Sequence, residues 1–72
     1  MNNYPYIEIG KKIRHARQEK ELSQRQLAKL AGTTQGEIWQ IEQGKRYRID
    51  YFLLCKISEV LEIKIPTLSK VG

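Results

Sequence analysis

Apolar side chains recur at helical spacing along most of the sequence, and residues that start or stop helices break the pattern. Between Ile9 and Glu21, the apolar Ile9, Ile13 and Ala16 fall four and three apart, while Lys11, Lys12, Arg14, Gln18 and Lys20 take the other face. An amphipathic first helix follows. Pro5 stands just ahead of it, where a missing amide hydrogen costs least, and Leu22 is expected to fold back onto the core.

Ser23-Gln24-Arg25-Gln26 has the form of a capping box, with Ser23 accepting from the Gln26 amide and the Gln26 side chain accepting from the Ser23 amide. The helix it opens carries an apolar stripe of Leu27, Ala28 and Ala31 and stops at Gly32. Thr34 and Glu37 repeat the device for a third helix, with Ile38 and Ile41 facing inward and Gly44 as its stop. Asp50 then caps a fourth helix with Tyr51, Leu54, Ile57 and Leu61 on one face, and Pro66 opens a short turn near Ile65 to Ser69. Strand-like alternation of useful length, internal repeats and Gly-Ser linkers are missing from the sequence. The reading is all-α, with five helices.

Seventy-two residues, 40% of them hydrophobic, allow one core, so a single domain over 1–72 is expected, with its core at about 9–69. Thirteen Lys and Arg against eight Asp and Glu give a net charge of +5, which favours a polyanionic partner. The single cysteine, Cys55, can form neither an intramolecular disulfide nor a zinc site, and reads as a core residue. No metal or cofactor is expected. With no apolar run of membrane-spanning length and no signal-like start, the expected location is the cytoplasm. An enzyme finds no support: His15 is the one histidine, set among basic residues without a nucleophile or carboxylate pair. The aromatic residues Tyr4, Tyr6, Trp39, Tyr47, Tyr51 and Phe52 form no evident stacking platform for single-stranded RNA.

Two capped helices joined by a tight glycine-containing turn are the physical content of a helix-turn-helix. The segment LSQRQLAKLAGTTQGEIWQIEQGK, with small residues where two helices must touch, resembles the phage repressor and Cro family, also called the XRE family, over about Ile9 to Ser69. The resemblance implies a compact five-helix bundle of the phage-repressor type. It also implies a transcriptional regulator, most often a repressor at a short palindromic operator, that places the third helix in the major groove of double-stranded DNA.

Carried over by position, the base-facing set is Thr34, Gln35, Gly36, Glu37, Trp39 and Gln40. Gln35 is the leading reader, because a glutamine amide can pair with adenine N6 and N7. Gly36 has no side chain to contribute. Glu37 either completes the capping box or accepts from cytosine N4, and Trp39 either meets the groove or packs on the basic loop. The implied phosphate contacts are Gln24, Arg25, Gln43, Lys45, Arg46 and Arg48, with the amides at the start of the second helix. Lys11, Lys20 and Lys56 read as solvated charges.

Arg17 and Glu42 match positions that pair in relatives, which implies a structural ion pair tying the recognition helix to the scaffold. Glu21 sits where relatives often carry glycine, and the loop after Gly44 is one residue longer than theirs and lacks their proline. The run Tyr51-Phe52-Leu53-Leu54-Cys55 is too apolar for a helix that buries one stripe. Phe52 and Leu53 are therefore expected at a homodimer interface, or Phe52 folds over the loop against Tyr47 in the same monomer. A toxin or another protein is a further partner such a regulator could hold.

Overall fold

The computed structural model describes residues 7–46 and 48–65. Its elements are α1 (Ile7–Glu19), α2 (Gln24–Ala31), α3 (Gln35–Glu42) and α4 (Tyr51–Leu61), and among the described residues there is no strand. The count is four helices in that part of the chain. The further turn expected near Ile65 to Ser69 lies outside the described residues, except for Ile65, which is buried.

Start signals act where the sequence places them. Ser23 Oγ accepts from the Gln26 amide at 2.9 Å and the Ser23 amide donates to Gln26 Oε1 at 2.8 Å, which closes the capping box. Thr34 and Asp50 cap α3 and α4 by accepting from the Glu37 and Leu53 amides.

All four helices end with the same closure. One or two positions beyond each helix a residue turns left-handed and its amide reaches back three residues, while the next amide reaches back five; these are the two bonds of a Schellman motif. The pairs run from Glu21 and Leu22 to Gln18 and Arg17, and from Gly32 and Thr33 to Lys29 and Ala28. Gly44 and Lys45 bond back to Ile41 and Gln40, and Glu62 and Ile63 to Glu59 and Ser58. Glycine fills the left-handed position at Gly32 and Gly44, whereas Glu21 and Glu62 adopt it at φ 56° and 57° despite their Cβ atoms. The Glu21 turn also explains why α1 stops at Glu19, short of the expected Glu21.

Ile9, Ile13 and Ala16 of α1, Leu27, Ala28 and Ala31 of α2, Ile38 and Ile41 of α3, and Leu54, Ile57 and Leu61 of α4 form one core with Ile49 and Ile65. α3 packs on α1 and α2, and α4 packs on the same two helices. Tyr51 does not join this stripe: it is 52% exposed. It stands at the first position of α4, while Ile49, just before the Asp50 cap, is buried with Leu54, the fourth helical residue. That is the arrangement of a hydrophobic staple, and it gives Ile49 the place expected of Tyr51. Cys55 is half-buried rather than a core residue, since it lies one position round from the Leu54 and Ile57 stripe.

Two glycines let helices touch. A Cβ on Gly10 would run into the carbonyl oxygens of Ile41 and Glu42, so α1 lies directly against the end of α3. At Gly44, φ is 71° and a Cβ would also meet Ile7, so the exit of α3 is seated on the start of α1. On the surface, Lys20 donates to Glu62 at 2.8 Å and holds that carboxyl below its ordinary range, first by the hydrogen bond and then by its charge. No helix among the described residues is long and apolar enough to cross a membrane.

Candidate nucleic-acid interface

The inward face of α3 is Ile38, Ile41 and Glu42, all buried; the outward face is Gln35, Gly36, Trp39, Gln40 and Gln43, all exposed. An eight-residue helix with such division presents its polar side as a ridge. Thr34, at its start, is exposed and keeps its hydroxyl oxygen on the Glu37 amide at 3.2 Å.

Beneath the ridge, Arg17 and Glu42 join α1 to α3. Arg17 Nε donates to Glu42 Oε2 at 2.5 Å and Nη2 to Oε1 at 3.0 Å, while Nη1 donates to the Leu22 carbonyl at 2.7 Å. The Glu42 side chain is 1% exposed, so these donors and one more stand in for water. The additional donor is Gln24, whose Nε2 lies 3.0 Å from Glu42 Oε1. Gln24 is half-buried and uses one amide hydrogen inside the protein, which leaves its oxygen and second hydrogen toward solvent. Among the described residues, every buried side-chain nitrogen and oxygen has a partner.

The basic loop folds back on the ridge. Lys45 places its ammonium over the Trp39 ring, 5.4 Å from the centroid, and both side chains remain open to solvent. Trp39 therefore meets the loop while 44% of it stays exposed on the outer face of α3. Arg46 Nη1 lies 3.0 Å from Glu37 Oε2 and 3.2 Å from Gln40 Oε1. Glu37 does not complete a capping box. Its Oε1 accepts from the Thr33 hydroxyl at 3.2 Å and its Oε2 turns to Arg46, whose charge is the stronger attraction. Arg25, Gln43 and Arg48 are exposed along the flanks.

The bonds of Arg46 to Glu37 and Gln40, that of Gln24 to Glu42, and the close approach at Gly10 are not among the features expected from the sequence. For the first, the glutamate and glutamine three apart on α3 were a signal of a shared partner, but only the Gly44 turn brings Arg46 to them. For Gly10, a glycine inside an otherwise strong helix pattern was the available sign.

Two capped helices with a left-handed glycine between them, the second exposing a polar ridge beside cationic side chains, define a helix-turn-helix. The chain belongs to the helix-turn-helix family of the Cro/C1 type, whose model matches residues 13–68, and it is by class a DNA-binding transcription regulator. Among solved structures it is similar to the restriction-modification controller protein C.AhdI from Aeromonas hydrophila. The two share 29% identity over 82% of this chain and 88% of that one, with a TM-score of 0.75. No curated protein matches the chain.

Proposed function

We propose that the protein is a repressor that binds a short palindromic operator as a homodimer, each subunit laying α3 in the major groove. The observation that carries this reading is the outward face of α3, where Gln35, Trp39 and Gln40 stand exposed with the Lys45 ammonium over Trp39. Gln35 and Gln40 read base edges, Gly36 lets the backbone come close, and Thr34 and Trp39 border the contact. Gln24, Arg25, Gln43, Lys45 and Arg48 follow the phosphates on either side, with the first amides of α2. The sign of regulation rests on the resemblance to phage repressors.

Phe52 supports the second subunit. It is 78% exposed and its ring meets Tyr51 edge-on at 6.1 Å, while Leu53 beside it is half-buried against the core. An aromatic pair open to water on so small a protein marks an interface, and a two-fold dimer sets two recognition helices about 34 Å apart, one turn of DNA.

Selection of duplexes from a random pool tests the proposal. The selected sites should be palindromic; Gln35→Ala should lose about 1–3 kcal/mol and relax preference at one base pair per half-site, and Lys45→Ala should weaken all duplexes alike and lower the salt slope by about one. Phe52→Lys should turn a sedimenting dimer into a monomer of unchanged helix content. A wild type that remains monomeric and selects single half-sites would overturn the dimer, and an unselected pool would overturn the whole reading.

A further inference from the structure

Arg46 looks, by charge and position, like one more phosphate contact, yet its guanidinium is turned onto the recognition helix. One nitrogen, Nη1, bridges Glu37 Oε2 and Gln40 Oε1 at 3.0 and 3.2 Å, and the Arg46 and Glu37 side chains are only 30% and 28% exposed. The chemistry of this bridge is directional. A guanidinium has donors and no acceptor, so the Gln40 amide must turn its oxygen to Arg46 and its NH2 group away. Glu37 holds the guanidinium in place and is itself neutralised, with its other oxygen on Thr33. A carboxylate on the side of α3 that meets DNA thereby stops repelling phosphate.

We propose that Arg46 is a specificity-setting residue: anchored by Glu37, it fixes Gln40 as a hydrogen-bond donor, so that Gln40 selects guanine. This rests on the reading that α3 lies in the major groove. Guanine offers two acceptors there, N7 and O6, and suits an outward NH2 group; adenine needs the glutamine oxygen to accept from its N6 amino group, which would then crowd the donors of Arg46. Without Arg46 the amide is free to reverse and take adenine in the usual bidentate way.

Duplex selection with the full chain separates the possibilities, with the base pair read by Gln40 defined as the one whose preference Gln40→Ala abolishes. Wild type should prefer guanine there, by about five-fold or more, and Arg46→Ala should move the preference toward adenine. Glu37→Ala should shift the same base pair in the same direction, because it removes the anchor, although it changes the net charge in the opposite sense. Circular dichroism of each variant checks that helix content is unchanged, and the two substitutions at different sites keep the test intact if one of them disturbs folding. A simple phosphate contact gives a different pattern: Arg46→Ala would weaken every duplex equally and lower the salt slope by about one, and Glu37→Ala would tighten every duplex. That pattern, or an adenine preference already present in wild type, overturns the proposal. If wild type selects no sequence at all, it is the groove-binding reading that fails.

Discussion

Replacing Arg17 with alanine removes three hydrogen bonds at once, two to Glu42 and one to the Leu22 carbonyl, and leaves a carboxylate 1% exposed with Gln24 as its remaining side-chain partner. A buried charge stripped of its counter-ion costs about 3–5 kcal/mol. At about 0.05–0.15 kcal/mol per residue, a chain of this length has roughly 4–11 kcal/mol in all, so Arg17→Ala should remove between about a quarter and all of its stability. The reverse change is milder. Arg17 is 11% exposed at the edge of the packed helices, and a long guanidinium side chain can reach water when its partner is gone, whereas Glu42 cannot. Glu42→Ala should therefore cost less than Arg17→Ala, although it also strands Gln24. Urea unfolding followed by far-ultraviolet circular dichroism is the suitable assay, since guanidinium would screen the pair. The double-mutant cycle should give a coupling energy of about 2–3 kcal/mol, and Arg17→Met with Glu42→Leu should recover most of the loss by filling the same space with apolar groups. A coupling energy near zero, or equal costs for the two alanine variants, would refute this account of the pair.

Gly10→Ala should lower the melting temperature although alanine is the better helix former: its Cβ meets backbone carbonyls that cannot move aside, an overpacking worth about 1–3 kcal/mol, while Gly36→Ala, with nothing within 4 Å, should gain about 0.5–1 kcal/mol. Thermal melts of the two variants that move in the same direction would contradict the close approach of α1 and α3. Glu21→Gly should stabilise the end of α1 by up to about 1 kcal/mol, since it relieves a left-handed glutamate, and a lower urea midpoint would show that Glu21 contributes by another route.

The sequence carries most of the helix-turn-helix openly because its signals are local. Ser23, Thr34 and Asp50 act on amides three residues away, and Gly32 and Gly44 act on the turn they occupy. Such devices are readable without knowing what packs on what. Errors arise where two local options compete and a distant group decides. Glu37 has a cap within reach of its side chain but is drawn to Arg46, across the Gly44 turn. Tyr51 and Ile49 are both suitable for the core, and the cap at Asp50 puts Ile49 inside because a staple packs the residue before the cap. Glu21 offers no sequence sign that it will accept a left-handed turn; Leu22 is the reason to look, since folding that side chain onto the core requires the chain to reverse there.

The carboxylate of Glu42 receives donors from α1 and α2 while belonging to α3, so the orientation of α3 is set from underneath, by residues that point away from its outer face. The outer residues Gln35, Gly36 and Gln40 take no part in that joint. If α3 reads DNA as proposed, orientation and readout are thus separable: the letters of the preferred site can change through exposed side chains, while the platform beneath keeps presenting whatever stands there at the same angle. On that reading, a regulator built this way follows a drifting binding site one base pair at a time, without passing through an unfolded intermediate sequence.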